Sequence, residues 1–384
     1  MIRTSVRDLW RGKLRMTMVA LTAAVVAIAT WSPPHAQATP PEQAKCCFEV
    51  MTYNAYLGAN LQPLFQAKDL DELKRLATEA YAHVHQVDFN LRAVAIARQI
   101  VQAEPEVVAL QELSFWQEVL KSNPSELRTR YDFLQILLDE LERQGQPYEA
   151  ESVIETFSSD PVPINDPDVA AVKWTDRNAI IVRADLPAAD LSTANAMGAK
   201  FATYLPLTIV GTPIKATRAW TSVDVQVRGA WFRVFDTHFE AYSPLVRFAQ
   251  VAELVRLMSA SPYPIVLAGD INLYPQSAGR PEDQPAWNLL TGAGFVDTWV
   301  ESDGAFPAYT AGQPDDLDCT LASTLDNTVD FVLHNADGYV DAVRHSGEIV
   351  GEDPDDCTDS TATTPRLWPS DHAGVVVGLH IPES

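Results

Sequence analysis

Apolar runs of strand length alternate along this chain with amphipathic helical stretches, and Pro, Gly and Asp punctuate the joins. "FEVMTYN" (48–54) reads as a strand. Residues 69–84 and 89–103 read as helices, the second presenting Leu91, Val94, Ala95, Arg98 and Val101 at three- and four-residue steps. Pro105 stops that helix and "EVVALQE" follows as a strand. Ser125 is placed to cap a helix over "ELRTRYDFLQILLDELERQ", which Gly145 ends. "NAIIVR" is a further strand, and "WTSVDVQVRGAWFRVFDTHF" alternates about Arg228-Gly229 as a hairpin. Ser243-Pro244 opens another helix. "PIVLAGD", "TVDFVLH" and "AGVVVGLHI" complete the strands. Strands outnumber helices and include an antiparallel hairpin, so the expected class is mixed α/β. No glycine-rich nucleotide fingerprint and no fixed-period repeat is present.

One regularity stands above this pattern. Strand after strand runs into a polar residue of catalytic type: Asn54, Glu112, His238, then Asp270 with Asn272 two residues on. Asp330 interrupts "TVDFVLH", and Asp371-His372 precede the last strand. A single polar residue at a strand end is usually a turn former. Repetition of the same chemical character at strand after strand points to one shared cleft. His83, His85, His334, His345 and His380 have no comparable neighbours and read as ordinary surface or packing residues. Ser370-Asp371-His372 is not a compressed triad, because triad members converge from separate parts of a chain and no G-x-S-x-G elbow exists.

Composition and charge narrow the partners. The 384 residues are 47% hydrophobic and 21% charged, with a formal net charge of −23. Such acidity disfavours charge-driven binding to nucleic acid or an anionic bilayer unless a bound cation reverses the sign locally. The bases concentrate at the start, where Arg3, Arg7, Arg11, Lys13 and Arg15 precede an apolar stretch over 16–31 and an Ala36-Gln37-Ala38 cleavage signal. The expected organisation is a signal peptide over 1–38, a leader over 39–47 and a single domain over 48–384. An uncleaved anchor through 16–31 is the alternative. Export makes the four cysteines candidates for disulfides. Three pairings are possible, and Cys319–Cys357 is favoured because both loops flank the same strand-rich segment. No C-x-x-C spacing supports zinc, whereas the acidic loops around Cys319 and Cys357 leave a structural Ca²⁺ open.

Taken in order, "TYN", "LQE", "DTHFEA", "GDIN", "VDFVL" and "SDHAGV" resemble the endonuclease/exonuclease/phosphatase superfamily over almost the whole chain beyond Phe48. The resemblance implies a four-layer α/β sandwich, two packed mixed β-sheets flanked by helices, in a metal-dependent phosphoester hydrolase. It places Glu112 as first ligand of Mg²⁺ (Mn²⁺ as alternative), Asp371 behind it and Asn54 orienting the metal site. His372 becomes general base with Asp330 as its partner. Asp270 and Asn272 orient the attacking water, Asp270 being the alternative base, and His238 donates to the phosphate or the leaving oxygen. Arg177 and Arg218 are the arginines available to a phosphate. Two departures stand out: Thr328-Val329 precede Asp330 where many members have a basic residue and isoleucine, and Asn178 falls where an acidic or small residue is common. Residues 113–170 and 186–216 match nothing and read as the rim that selects substrate. The expected substrate is a phosphoester, with lipid headgroup, small phosphorylated metabolite and nucleic acid all open. The chain is expected to be a monomer without protein partner or tight membrane association. An extracellular nuclease of the same fold is one alternative. A catalytically idle binding module is another, disfavoured because no acid, base or metal group is missing.

Overall fold

The computed structural model describes residues 47–273, 280–304, 308–320, 322–335, 341–344, 346–360 and 365–380. The expected signal peptide over 1–38, Cys46 and His345 lie outside these residues. Two mixed sheets pack face to face. In the first, Cys47–Asn54 runs parallel to Val107–Gln111, with Gly374–His380 antiparallel on its other side. Beyond Val107–Gln111 lies the long strand Val169–Arg183, followed by Phe115–Leu120 and Asn123–Asp132. The second sheet runs Phe295–Asp297, Asp330–Asn335, Ile265–Asp270, Ala230–His238, Ala219–Val227, Leu191–Lys200. Its central pair, Ala230–His238 and Ile265–Asp270, is parallel.

Period-two alternation explains the layering. Phe48, Val50, Val107, Ala109, Val234, Val266, Val332 and Val375 point between the sheets and form one core. Met51, Tyr53, Val108 and Leu110 point outward, against helices Leu70–Gln86, Phe89–Ala103 and Phe133–Arg143. On the far side Phe235, Leu267, Phe331 and Leu333 pack on helices Pro244–Met258 and Gln284–Gly292. The result is the helix/sheet/sheet/helix sandwich expected from the sequence.

The predicted helix beginning at Ser125 is a correction. Asn123–Asp132 is an exposed strand paired with Phe115–Leu120, and the helix starts only at Phe133. The apolar stripe Phe133, Leu134, Leu137, Leu141 begins there, and Asp132 caps it by accepting from the Gln135 N–H at 3.3 Å. "NAIIVR" is the second half of a fifteen-residue strand. The unmatched stretches are also largely strand, including a separate two-stranded ribbon, Leu205–Ile209 with Thr212–Ala216. Cys319 and Cys357 are joined by a disulfide, Cα–Cα 6.5 Å. Closing 38 residues in this way stabilises the fold by about 4 kcal/mol on chain-entropy grounds. His334 is buried and meets Glu301 at 2.5 Å, a packing role.

Candidate active site

The same alternation that builds the inter-sheet core places the polar groups. Continuing the inward face of each strand past its apolar residues gives Asn54, Gln111, Asp236, His238, Asp270 and Asp330. The first four strands of this set end there, while Asp330–Asn335 begins there, being antiparallel to Ile265–Asp270 with Asp270 opposite Asp330. One end of the sandwich is therefore polar where the rest is apolar.

Gly269 makes the approach of the two central strands possible. A Cβ at this position would lie 2.1 Å from the Thr237 carbonyl oxygen, so only glycine delivers Asp270 beside His238. Glu112 and Asn272 follow their strands in the left-handed region, φ 56° and 50°, turning their side chains into the cleft.

His372 Nδ1 meets Asp330 Oδ2 at 2.8 Å. The other Asp330 carboxylate oxygen is buried with no hydrogen-bond partner among the described residues. Burial works against a charged His372 imidazole, yet Asp330 and Asp371 outweigh it and hold the ring well above its ordinary range. His238 is the opposite case. Burial, then Arg218 and His372, push it well below that range. Arg218 Nη1 donates to His238 Nδ1 at 3.0 Å, which leaves the proton on Nε2, 3.3 Å from Asp270 Oδ2. Asp270 also accepts from Asn54 Nδ2 at 3.1 Å and from the Asn272 N–H at 3.1 Å. Its burial, reinforced by Asp330, pushes it up to about 7.

Glu112 accepts the Leu57 N–H at 2.7 Å and stands 4.0 Å from His238 Nδ1. Burial, then the Asp371 charge, push it up to about 8. Burial likewise raises Asp371 and Asp176. These groups open onto a cleft of about 340 Å³ lined by Glu112, Arg218, His238, Asp270, Asp371 and His372, among others. Asn54 and Asp330, both almost fully buried, stand behind its wall.

The structure thus brings together Glu112, Asp371, His372, His238, Asp270, Asn272 and Arg218. One sequence expectation needs correction. Arg177 does not line the cleft: it pairs with Asp132 at 2.5 Å, donates to the Leu113 carbonyl, and stacks over Phe115. Strand alternation sends it to the face opposite Asp176 and Asn178. Asn54 Nδ2 serves Asp270, and its Oδ1 accepts the Tyr56 N–H at 3.0 Å.

Three acids were missed. Asp176 lines the cleft and accepts from Thr156 Oγ1 at 2.6 Å; the adjoining "TDRN" is its only sequence signal. Asp315 comes from an acidic loop that reads as solvated. Asp236 lies deeper, accepting from Gln111 Nε2 at 2.8 Å.

The donor set suits a hard divalent cation. Several buried carboxylates raise one another's proton affinity with one arginine among them, and a cation relieves that repulsion. Asp270, Asp330 and His372 also place ligand atoms within 4.8 Å of one another. Asp330 is buried behind the cleft wall and already engages His372 at 2.8 Å, whereas Glu112 and Asp371 line the open cleft, where they could hold the cation.

A model of the "Endonuclease/Exonuclease/phosphatase family" matches residues 51–372. The chain belongs to the endonuclease/exonuclease/phosphatase family. Members of this family are generally phosphoester hydrolases and typically use divalent metals. Solved structures share the fold. A family protein from Bacteroides thetaiotaomicron is 14% identical, with 88% of this chain and 98% of that one covered, at TM-score 0.53. A mannosyl-6-phosphatase from Bacteroides thetaiotaomicron is 14% identical, with 86% and 99% covered, at TM-score 0.51. A family protein from Bacteroides vulgatus is 15% identical, with 88% and 99% covered, at TM-score 0.51. No curated protein matches the chain.

Proposed function

We propose that this family member is an exported, Mg²⁺-dependent phosphoester hydrolase in which water attacks phosphorus with His372 as general base. The observation carrying the proposal is the 2.8 Å Asp330–His372 pair, set beside Glu112, Asp371 and Asp270 in one cleft. Asp330 engages Nδ1, so Nε2 is the nitrogen left to take the proton from water. Glu112 and Asp371 would hold a divalent cation, which when bound would neutralise charge on the phosphoryl oxygens and oppose protonation of the nearby imidazole. Asp270, steadied by Asn54 and Asn272, aligns the water. His238 Nε2–H and Arg218 donate to the phosphoryl oxygens, the arginine also fixing the histidine's tautomer.

Export rests on the basic start, the apolar 16–31 and the Ala36-Gln37-Ala38 signal. Among the described residues no helix is long and apolar enough to cross a membrane. The test is hydrolysis of p-nitrophenyl phosphate and bis-p-nitrophenyl phosphate with Mg²⁺ or EDTA. Mg²⁺-restored turnover is expected, and EDTA-insensitive turnover overturns the metal requirement.

A further inference from the structure

The cleft does not end at its polar wall. A second groove of about 480 Å³ adjoins it, and Leu61, Phe65, Phe157, Trp174, Ile209 and Ile214 line both. The groove is also walled by Leu64, Leu73, Trp116, Val162 and Val172, and by Leu70, which is 71% exposed. Its wall toward the cleft comes partly from the ribbon Leu205–Ile209 and Thr212–Ala216, whose alternation turns Leu205, Leu207, Ile209, Ile214 and Ala216 to the cleft side.

We propose that this groove binds the apolar chain of the substrate, so that the enzyme acts on phosphoesters carrying an alkyl or acyl tail. The proposal rests on the phosphoester-hydrolase reading of the adjoining cleft. The shared lining selects the occupant: a molecule with phosphorus beside His372 and Asp371 has the six common apolar side chains within reach of its substituent. The groove's chemistry fixes its nature. Both indole N–H groups are already spent, Trp174 on Ser114 Oγ at 2.9 Å and Trp116 on the Leu57 carbonyl at 3.2 Å, so the tryptophans offer hydrocarbon only. The one cation among the lining residues, Lys215, is matched by Asp160 in the same lining, and Lys215 sits over the Tyr204 ring. A single-stranded nucleic acid would need a basic track beside its stacking rings, and none is built among the described residues here. Apolar walls of this size against one polar end suit an amphiphile.

Two series test this. Hydrolysis of methyl, butyl and octyl p-nitrophenyl phosphodiesters is followed below their micellar concentrations. Binding of methyl-, butyl- and octylphosphonate is measured by calorimetry in Mg²⁺, independently of turnover. Each added methylene should raise kcat/KM and affinity about two- to fourfold until the groove fills. Leu64→Gln and Val162→Thr should each lower the octyl-to-methyl ratio in both series. A flat kcat/KM series with methyl ester still hydrolysed overturns the tail groove and leaves the hydrolase reading standing. No hydrolysis of any ester, with octylphosphonate bound more tightly than methylphosphonate, sinks the hydrolase reading and keeps the groove. An oligonucleotide that displaces methylphosphonate while octylphosphonate shows no gain overturns the apolar assignment.

Discussion

Replacing Asp330 by asparagine isolates the part of the site that depends on charge rather than shape. Asp330 is fully buried and His372 is 13% exposed at the side chain, so solvent screens their contact weakly. With charge centres roughly 4 Å apart and an effective dielectric near 20, the ion pair formed as His372 takes a proton is stabilised by about 4 kcal/mol. Losing that term from the transition state corresponds to a fall in kcat of about 10³-fold. The introduced amide can also donate to Nδ1, moving the ring proton to Nε2 and blocking the nitrogen that must accept from water. Asp330 already carries one buried oxygen without a partner among the described residues, so the uncharged amide removes a desolvation cost. The thermal melt reads that relief against the loss of the buried ion pair, and a folded variant with the turnover loss above is expected. The assay is steady-state hydrolysis of bis-p-nitrophenyl phosphate in saturating Mg²⁺ across roughly pH 5 to 9, where an imidazole titrates, beside a thermal melt. Asp330 and Asp371 hold the imidazole well above its ordinary range, so losing Asp330 lowers it and moves the acid limb of the profile to lower pH. Turnover within about threefold of wild type, with an unmoved acid limb, would refute the His372–Asp330 assignment.

The two arginines should separate cleanly: Arg218→Met raises KM at least about tenfold, while Arg177→Met leaves KM within about twofold and lowers stability by about 1–3 kcal/mol. Because burial and the Asp371 charge push Glu112 up to about 8, metal binding must displace protons, and the Mg²⁺ needed for half activity should fall as pH rises toward that value. Glu112→Gln should raise that requirement at least about tenfold, and an unchanged Mg²⁺ titration would remove Glu112 from the ligand set. Asp236 is held well above its ordinary 3.8 by burial, so the native state keeps a proton the unfolded chain releases, and stability falls as pH rises beyond that ordinary value. Asp236→Asn should remove that fall and raise the urea midpoint at neutral pH; a lowered midpoint would contradict it.

Much of this site was legible because sheet geometry is simple. Side chains alternate with a period of two, so an apolar strand that runs into Asn54 or Asp270 announces which face those residues share with the core. Arg177 was not legible for the same reason, since it lies in the polar middle of a fifteen-residue strand, between the apolar runs VAAV and AIIV. Asp176, one residue earlier, lies on the inward face and was passed over. The strand over 123–132 was hidden because all but its last two residues are exposed, and a polar edge strand carries neither helical nor alternating apolar periodicity. The apolar groove draws on segments scattered from Leu61 to Lys215, and no linear pattern can report that they meet.

A site this rich in carboxylates needs positive charge that is not consumed by them, and Arg92 supplies it in a form the sequence disguised as one position on a helix. It is fully buried, yet no carboxylate pairs with it directly among the described residues. Its guanidinium donates to four carbonyls: Ala55 at 2.7 Å, Val87 at 2.8 Å, Pro369 at 2.9 Å and Tyr56 at 3.0 Å. Phe89 lies under it at 4.9 Å. Neutral acceptors satisfy the donors without cancelling the charge, so the guanidinium still opposes the rise that burial imposes on Asp371. Three of these bonds, to Ala55, Tyr56 and Pro369, tie the turn after Asn54 to the turn before Ser370, whose hydroxyl donates to the Asn54 carbonyl at 2.7 Å. Segments 316 residues apart are thereby locked where Asp371 and His372 enter the cleft. Lysine could hold the charge but could not present a planar fork of donors to all of these carbonyls, which is the physical reason for arginine at this position.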